Sequence, residues 1–300
     1  MTAPLRPEAR LRYTAAPDRP RHTLPDGKLL AVWAVVNVEN WLIDAPMPRQ
    51  VLVAPTGAPL LPDLPNWAWH EYGMRVGFWR LLDAFAARGI APTLSVNASV
   101  VSAYPRIAAA AREAGWEFMG HGWVQTPTHK VADQRAMIAR SVGTLADFTG
   151  RPVAGWLGPG LTETAETPDL LAEAGLRYVA DWVADDLPAR LATAHGPLLT
   201  MPYSVELNDV PVIAVQGHGV EVLTARAAAQ ADRLIAEAAR PGPGGGARVM
   251  GLALHPYLSG VPHRIAAIEA MLDALLARPE VAFLQGEALA DWYEAGGDPA

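Results

Sequence analysis

The stretch PTLSVNASVVSAYPRIAAAAREAGWEFMGH, residues 92–121, decides the fold. A β-rich run, PTLSVN, gives way to an alanine-rich helical stretch that stops at Gly115, and a second β-rich run, WEFMGH, follows at once. A strand, a helix with a glycine stop and another strand make a βα unit, whose strands lie parallel because a helix crosses between them. The order recurs on both sides. Upstream, Ala31 to Val36 reads as a buried strand, followed by a long Pro-rich loop from Pro46 to Trp69 and by the helical pattern Val76, Trp79, Leu82, Phe85 closing at Gly89. Downstream, a helix ends near Gly150, VAGWLG leads to one ending near Gly175, and RYVADW and LLTMPY follow. NDVPVIAVQGHG is either a strand or a site loop; a long Ala-rich helix from about Ala225 to Arg240, the turn PGPGGGA, VMGLALH, a helix through Ile265 and Leu272, and VAFLQG complete the chain. The expected fold class is α/β, a distorted (β/α) barrel of about seven or eight mostly parallel strands, with an open sheet as the alternative.

Composition sets the bounds. At 300 residues the chain fits one barrel, and 51% hydrophobic with 18% charged residues supplies a core large enough to offset chain entropy. Residues 1–28, basic and Pro-rich, read as an extended N-terminal arm, and residues 29–300 as a single catalytic (β/α)-barrel domain. A net charge of -7 gives no reason to seek nucleic acid phosphates, and no apolar run reaches the roughly 18 residues of a membrane span. The expectation is a cytoplasmic protein without nucleic acid or membrane partners. Without cysteine, any catalyst is built from carboxylates, imidazoles, hydroxyls or backbone.

Polar residues gather where strands should end: Asn37 and Glu39, Asn97, His121, Asp181 with Asp185 and Asp186, Tyr203 with Glu206, and His255. In a barrel such ends converge on one face, where catalytic groups sit; the plain alternative is that polar residues simply begin loops. Glu39 is costly to bury unless paired, with Arg75 as the structural partner to consider. His121 and His255 follow strands beside glycine and proline, which suits an acid, a base or a carbonyl polariser. Asp185 and Asp186 read equally well as a turn. Trp33, Trp79, Trp116 and Trp292 fall at apolar periodic positions and read as core, whereas Trp41, Trp67, Trp69, Trp123, Trp156 and Trp182 fall in loops or at strand ends, where they could wall a pocket.

Taken together, EYGMRVGFWRLLDAFAARG (71–89), GWEFMGHGWVQ (115–125), GWLGPGLTETAETPDLLAEAG (155–175), YVADWVADDLP (178–188) and LALHPYLSGVPHR (252–264) resemble polysaccharide deacetylases. The nearer branch is that of cofactor-independent allantoinases and cyclic imide hydrolases, and the resemblance spans roughly residues 30 to 292. It implies a distorted barrel that hydrolyses amide-type bonds. In the main branch the first strand ends in an aspartate base and an aspartate metal ligand, and a His-x-x-x-His run supplies two further ligands. Here the matching residues are Glu39 and Asn40, then His121 and Gln125, with His129 eight positions beyond His121. Neutral amides are poor zinc ligands, so the expected cofactor is none; a zinc or other divalent site completed by His129 or Asp44 is the alternative.

The resemblance thus implies Glu39, His121 and His255 as catalytic residues, with His255 assisting the leaving group. Asn37, Tyr72, Arg75, Trp123, Trp156, Trp182, Asp185, Asp186 and Glu206 are the expected substrate contacts. The expected reaction is metal-independent opening of a small cyclic amide, imide or ureide. The alternatives are a metal-dependent deacetylase of an N-acetyl sugar or peptidoglycan fragment, and an inactive barrel that binds a carbohydrate or metabolite. A homo-oligomer, a tetramer among the options, is the expected assembly.

Overall fold

Strand β1, Leu30–Val38, is buried along its whole length and organises the sheet of the computed structural model, which describes residues 5–55, 57–58 and 61–296. Strands β2 (Thr93–Val96), β3 (Glu117–Gly120), β4 (Gly155–Trp156), β5 (Tyr178–Val179), β6 (Ala189–Leu191), β7 (Leu198–Thr200), β8 (Arg248–Leu254) and β9 (Val281–Phe283) follow. They form one sheet in the order β6-β7-β5-β4-β3-β2-β1-β8, with β9 paired to the first half of β1. All pairings are parallel except β6 with β7. The expected parallel strands at 31–37, 92–97, 116–121, 177–182 and 249–255 are therefore present, whereas antiparallel β6 was not read from sequence. The sheet curls into a distorted half-barrel. Single backbone bonds from Val249 N to Asp186 O (2.8 Å) and from Ala253 N to Leu207 O (2.9 Å) connect β8 to irregular segments beyond its free edge.

The two-residue period of a strand separates two cores. Ala31, Trp33 and Val35 face the interior with Met119, Leu199, Met201, Tyr203, Val249 and Ala253. Leu30, Val32, Ala34, Val36 and Val38 face outward, against helices 78–86, 105–113, 134–149, 220–238 and 262–276. Within helix Val220–Ala238 the buried Leu223, Ala227, Ala231 and Leu234 recur at helical spacing and make one inward stripe. Leu289, Ala290 and Tyr293 of helix Gly286–Ala295 join the interior cluster and close the end where the strands begin. There Glu117, also on the inner face, accepts from Thr93 Oγ1 (2.7 Å), Tyr178 OH (2.7 Å) and Glu287 N (3.0 Å). That carboxyl is a structural plug.

Two segments differ from the sequence reading. The loop from Pro46 to Trp69 is interrupted by helix Leu64–Tyr72, because Asp63 caps the Asn66 N–H and a proline stands in the first turn. NDVPVIAVQGHG is neither strand nor open loop: residues 210–215 form a wide helical turn after Asp209. Within the arm, whose residues 1–4 lie outside the described set, Leu11 makes an antiparallel bridge to Leu191 and Arg10 is buried. Among the described residues no helix is long and apolar enough to cross a membrane.

Candidate active site

Register brings three side chains to one end of the sheet. Val38 pairs with Val96 and Val96 with Gly120, so Glu39 and His121 leave their strands at one level; Val36 pairs with Leu254, so His255 leaves at the same end, level with Asn37. Each also continues the inward parity of its strand: residues 31, 33 and 35 in β1, 119 in β3, 249 and 253 in β8. The result is a buried triplet in which Glu39 Oε1 lies 3.8 Å from His121 Nε2 and 3.7 Å from His255 Nε2.

Every other atom of the triplet is tied outward. Trp41 Nε1 donates to Glu39 Oε2 (2.6 Å) and Gln125 Nε2 to Glu39 Oε1 (2.8 Å). His121 Nδ1 lies 2.6 Å from Leu157 O; a carbonyl only accepts, so the hydrogen sits on Nδ1 and Nε2 is turned to the carboxylate. His255 is held by Asp209, which meets its ring Nδ1 at 2.6 Å and accepts from its backbone N–H at 2.6 Å and from Ser259 Oγ at 2.6 Å. Asn97 accepts from Asn40 N (2.8 Å) and donates to His121 O, joining the loops that follow β1 and β3. Behind His255, a side chain at Gly73 would meet Tyr257 N at 2.5 Å and one at Gly77 would meet Pro256 O at 2.1 Å, so only glycine allows this approach.

Burial alone would raise the Glu39 carboxyl, but the facing imidazoles in their protonated form, His121 and His255 foremost, outweigh it and hold the pKa down at about 2. Glu39 is therefore a carboxylate throughout the neutral range. His70 stacks on Trp41 with ring centroids 4.3 Å apart, and burial lowers its pKa to about 4, Glu39 opposing the shift. Tyr203 is raised, first by burial, and keeps its hydrogen; its oxygen accepts from Asn37 Nδ2 at 3.0 Å.

Glu39, His121, His255 and Tyr203 line a cleft of about 210 Å³. Its polar lining is Asn37, Glu39, Arg49, His121, Gln125, Tyr203, Asn208 and His255, and its aliphatic lining includes Leu157, Leu161, Val205, Val210 and Val215. Leu161 adopts a φ of 57°, which is strained for a bulky residue, in a turn fixed by Asp181, whose two carboxylate oxygens accept from Gly158 N at 2.8 and 3.0 Å.

Of the expected substrate contacts, Asn37 lines this cleft and the others lie outside it. Trp156 falls on the helix-facing side of β4 and is fully buried. Trp123 sits under Arg140, 3.4 Å from its ring, in a neighbouring cavity, and Trp182 donates to Glu163. Tyr72 accepts from Arg80, and Arg75 pairs with Glu71 rather than Glu39. Asp185 pairs with Arg19 and lines a cleft beside the N-terminal arm; Asp186 holds Val249 N through its backbone, and Glu206 reaches Arg226 at 3.4 Å. None of the six tryptophans expected to wall a pocket lines this one. Sequence reasoning missed Asp209 and Arg49. The Asn-Asp pair before a proline-interrupted apolar run was a usable sign for Asp209, and Arg49, within a Pro-rich loop, had none.

The metal implied by the resemblance does not fit these side chains. Asn40 Nδ2 donates to Ser99 Oγ at 2.9 Å and Gln125 donates to Glu39, so the two positions carry neutral amides already engaged. His129 and Asp44 are exposed and outside the cleft. Among the described residues no group of three or more His, Cys, Asp or Glu side chains is arranged to hold a metal ion.

Comparison with known proteins agrees with this architecture. A family model described as polysaccharide deacetylase matches residues 70–179. A Schizosaccharomyces pombe protein named "Putative polysaccharide deacetylase" is 24% identical over 243 residues, 75% of this chain and 75% of its own. Among solved structures, a "probable Polysaccharide deacetylase" from Pseudomonas aeruginosa PAO1 is 26% identical with a TM-score of 0.80, covering 92% of this chain and 95% of its own. PuuE allantoinase, 24% identical with a TM-score of 0.81 over 94% of this chain and 96% of its own, shares the fold.

Proposed function

We propose that the chain is a hydrolase of a non-peptide C–N bond, opening a small cyclic amide, imide or ureide in an allantoinase-like reaction, a reading supported by the polysaccharide deacetylase model that matches residues 70–179 and by the likeness in fold to PuuE allantoinase. One observation carries this reading: a Glu39 carboxylate between two inward Nε2 atoms, at 3.8 and 3.7 Å, in a cleft of only about 210 Å³. Such a cleft suits a compact ring, and a ring amide is a more reactive target than an unstrained acetamide.

In the reaction, water approaches the carbonyl carbon beside Glu39 and His121. His121 Nε2 takes the water proton as the new C–O bond forms, and the Glu39 carboxylate stabilises the imidazolium so produced. The carbonyl electron pair moves to oxygen, where the Tyr203 hydroxyl donates, its own oxygen being already engaged by Asn37. Collapse restores the carbonyl and breaks the C–N bond. Protonated His255, oriented by Asp209, delivers its Nε2 proton to the departing nitrogen, so one proton enters the enzyme and one leaves it. The product is a single opened chain bearing a carboxylate and an amine, amide or urea nitrogen, according to whether the ring is an amide, imide or ureide.

The test is a panel of allantoin, hydantoins, cyclic imides and chitooligosaccharides, followed by ring opening and by acetate release. Opening of at least one ring amide without acetate release from the sugars is the expected result. Acetate release alone would replace this reading by a sugar deacetylase, and binding of a ligand without turnover would leave a binding protein.

A further inference from the structure

The rim of the cleft carries a cation that the reaction scheme leaves unused. Arg49 lines the same space as Glu39, His121 and His255, together with the aliphatic residues Leu157, Val205 and Val215. Among the described residues no carboxylate lies within salt-bridge reach of its guanidinium, Glu39 included; Glu39 is taken up instead by Trp41, Gln125 and the two imidazoles. Close by, the buried Tyr257 hydroxyl faces the Arg49 guanidinium, which acts on it through its charge and a side-chain contact. A half-buried guanidinium presents a planar fork of donors that matches a carboxylate bidentately. In a cleft this small, lined by both aliphatic and polar side chains, a second anchor of that kind fixes which way round a ring sits.

We infer that Arg49 is the specificity-determining residue of this site, and that the preferred substrates are cyclic amides bearing a carboxylate group on the ring. The inference rests on the proposed ring-opening function and names its substrate class. The anionic substituent pairs with Arg49, the apolar face of the ring lies on the valine and leucine wall, and the scissile carbonyl is directed to Glu39 and His121.

The experiment compares hydantoin-5-acetate with hydantoin-5-acetamide, which keeps size and shape without the charge, on the wild type, Arg49→Met and Arg49→Lys. Wild type is expected to favour the acetate in kcat/KM on the order of tenfold or more, the usual worth of a charge-assisted pair. In Arg49→Met the ratio should fall to about one through a rise in KM for the acetate, and Arg49→Lys should recover part of it. An equal loss for both compounds, or a fall in kcat with KM unchanged, overturns the inference and puts Arg49 at the reacting carbonyl. If the wild type opens neither ring, the proposed reaction fails, and calorimetric binding of the same two compounds still decides the role of Arg49. A wild-type preference for the acetate that Arg49→Met abolishes supports the inference; equal binding, or no binding, defeats it.

Discussion

Glu39 is a weak base with strong neighbours, and that combination defines its role. A carboxylate held near pKa 2 by two imidazoles does not accept a proton well at neutral pH, but it orients both rings and balances the charge that forms on them. Glu39→Gln keeps the volume and removes the charge, so turnover should fall on the order of 10²–10⁴-fold while KM changes little, as steady-state kinetics will show. Asp209→Asn attacks the other side: the His255 ring loses the acceptor that fixes its tautomer, and kcat should drop on the order of 100-fold or more with substrate affinity retained. Normal turnover in either variant would remove that residue from the mechanism. Glu39, His121 and His255 were legible because each ends a β-rich run with the parity of an inward residue. Asp209 was not, since its partner lies 46 residues away and only the packed turn at 210–215 brings them together.

Helix Leu64–Tyr72 connects site chemistry to stability, because its His70 must stay neutral to remain stacked on Trp41. Folding lowers the His70 pKa from 6.5 to about 4, so below pH 6.5 the unfolded chain takes up the proton first and stability falls until about pH 4. The loss is on the order of 3 kcal/mol. His70→Phe keeps an aromatic ring there and should lose less stability between pH 7 and pH 4 in denaturant titrations; a wild-type difference that does not change with pH would refute the argument. Glu39 acts over a lower window. Its folded pKa is depressed, so its contribution is complete above pH 4.5 and disappears as pH falls towards 2. At the glycine contact, Gly77→Ala places a carbon against the Pro256 carbonyl and should cost about 1–3 kcal/mol of unfolding free energy. The helix itself was hidden in a Pro-rich stretch, where Asp63 and Pro65 mark a helix start as readily as a loop.

Across the whole molecule, parallel strands and their helices were readable from alternating β-rich and amphipathic runs, but closure was not. The gap beside β8 is bridged by single backbone bonds from segments without strand character, and β6 pairs antiparallel through three residues only. The arm was equally opaque: basic and Pro-rich, it nevertheless buries Arg10, which donates to both Asp169 oxygens at 3.0 and 2.6 Å and to Ala165 O and Ala192 O at 2.7 and 2.9 Å. Arg10→Met should therefore cost on the order of 3 kcal/mol, measured by chemical denaturation, despite lying outside the barrel proper. The same whole-molecule view bears on catalysis, because the fold resembles that of a probable polysaccharide deacetylase while neutral Asn40 and Gln125 occupy the positions that the sequence resemblance matches to metal ligands. The most direct measurement is the rate of ring opening of a turned-over cyclic amide before and after exhaustive chelation, with and without added zinc. An unchanged rate in all three conditions is expected; activity lost on chelation and restored by zinc would contradict the proposed mechanism.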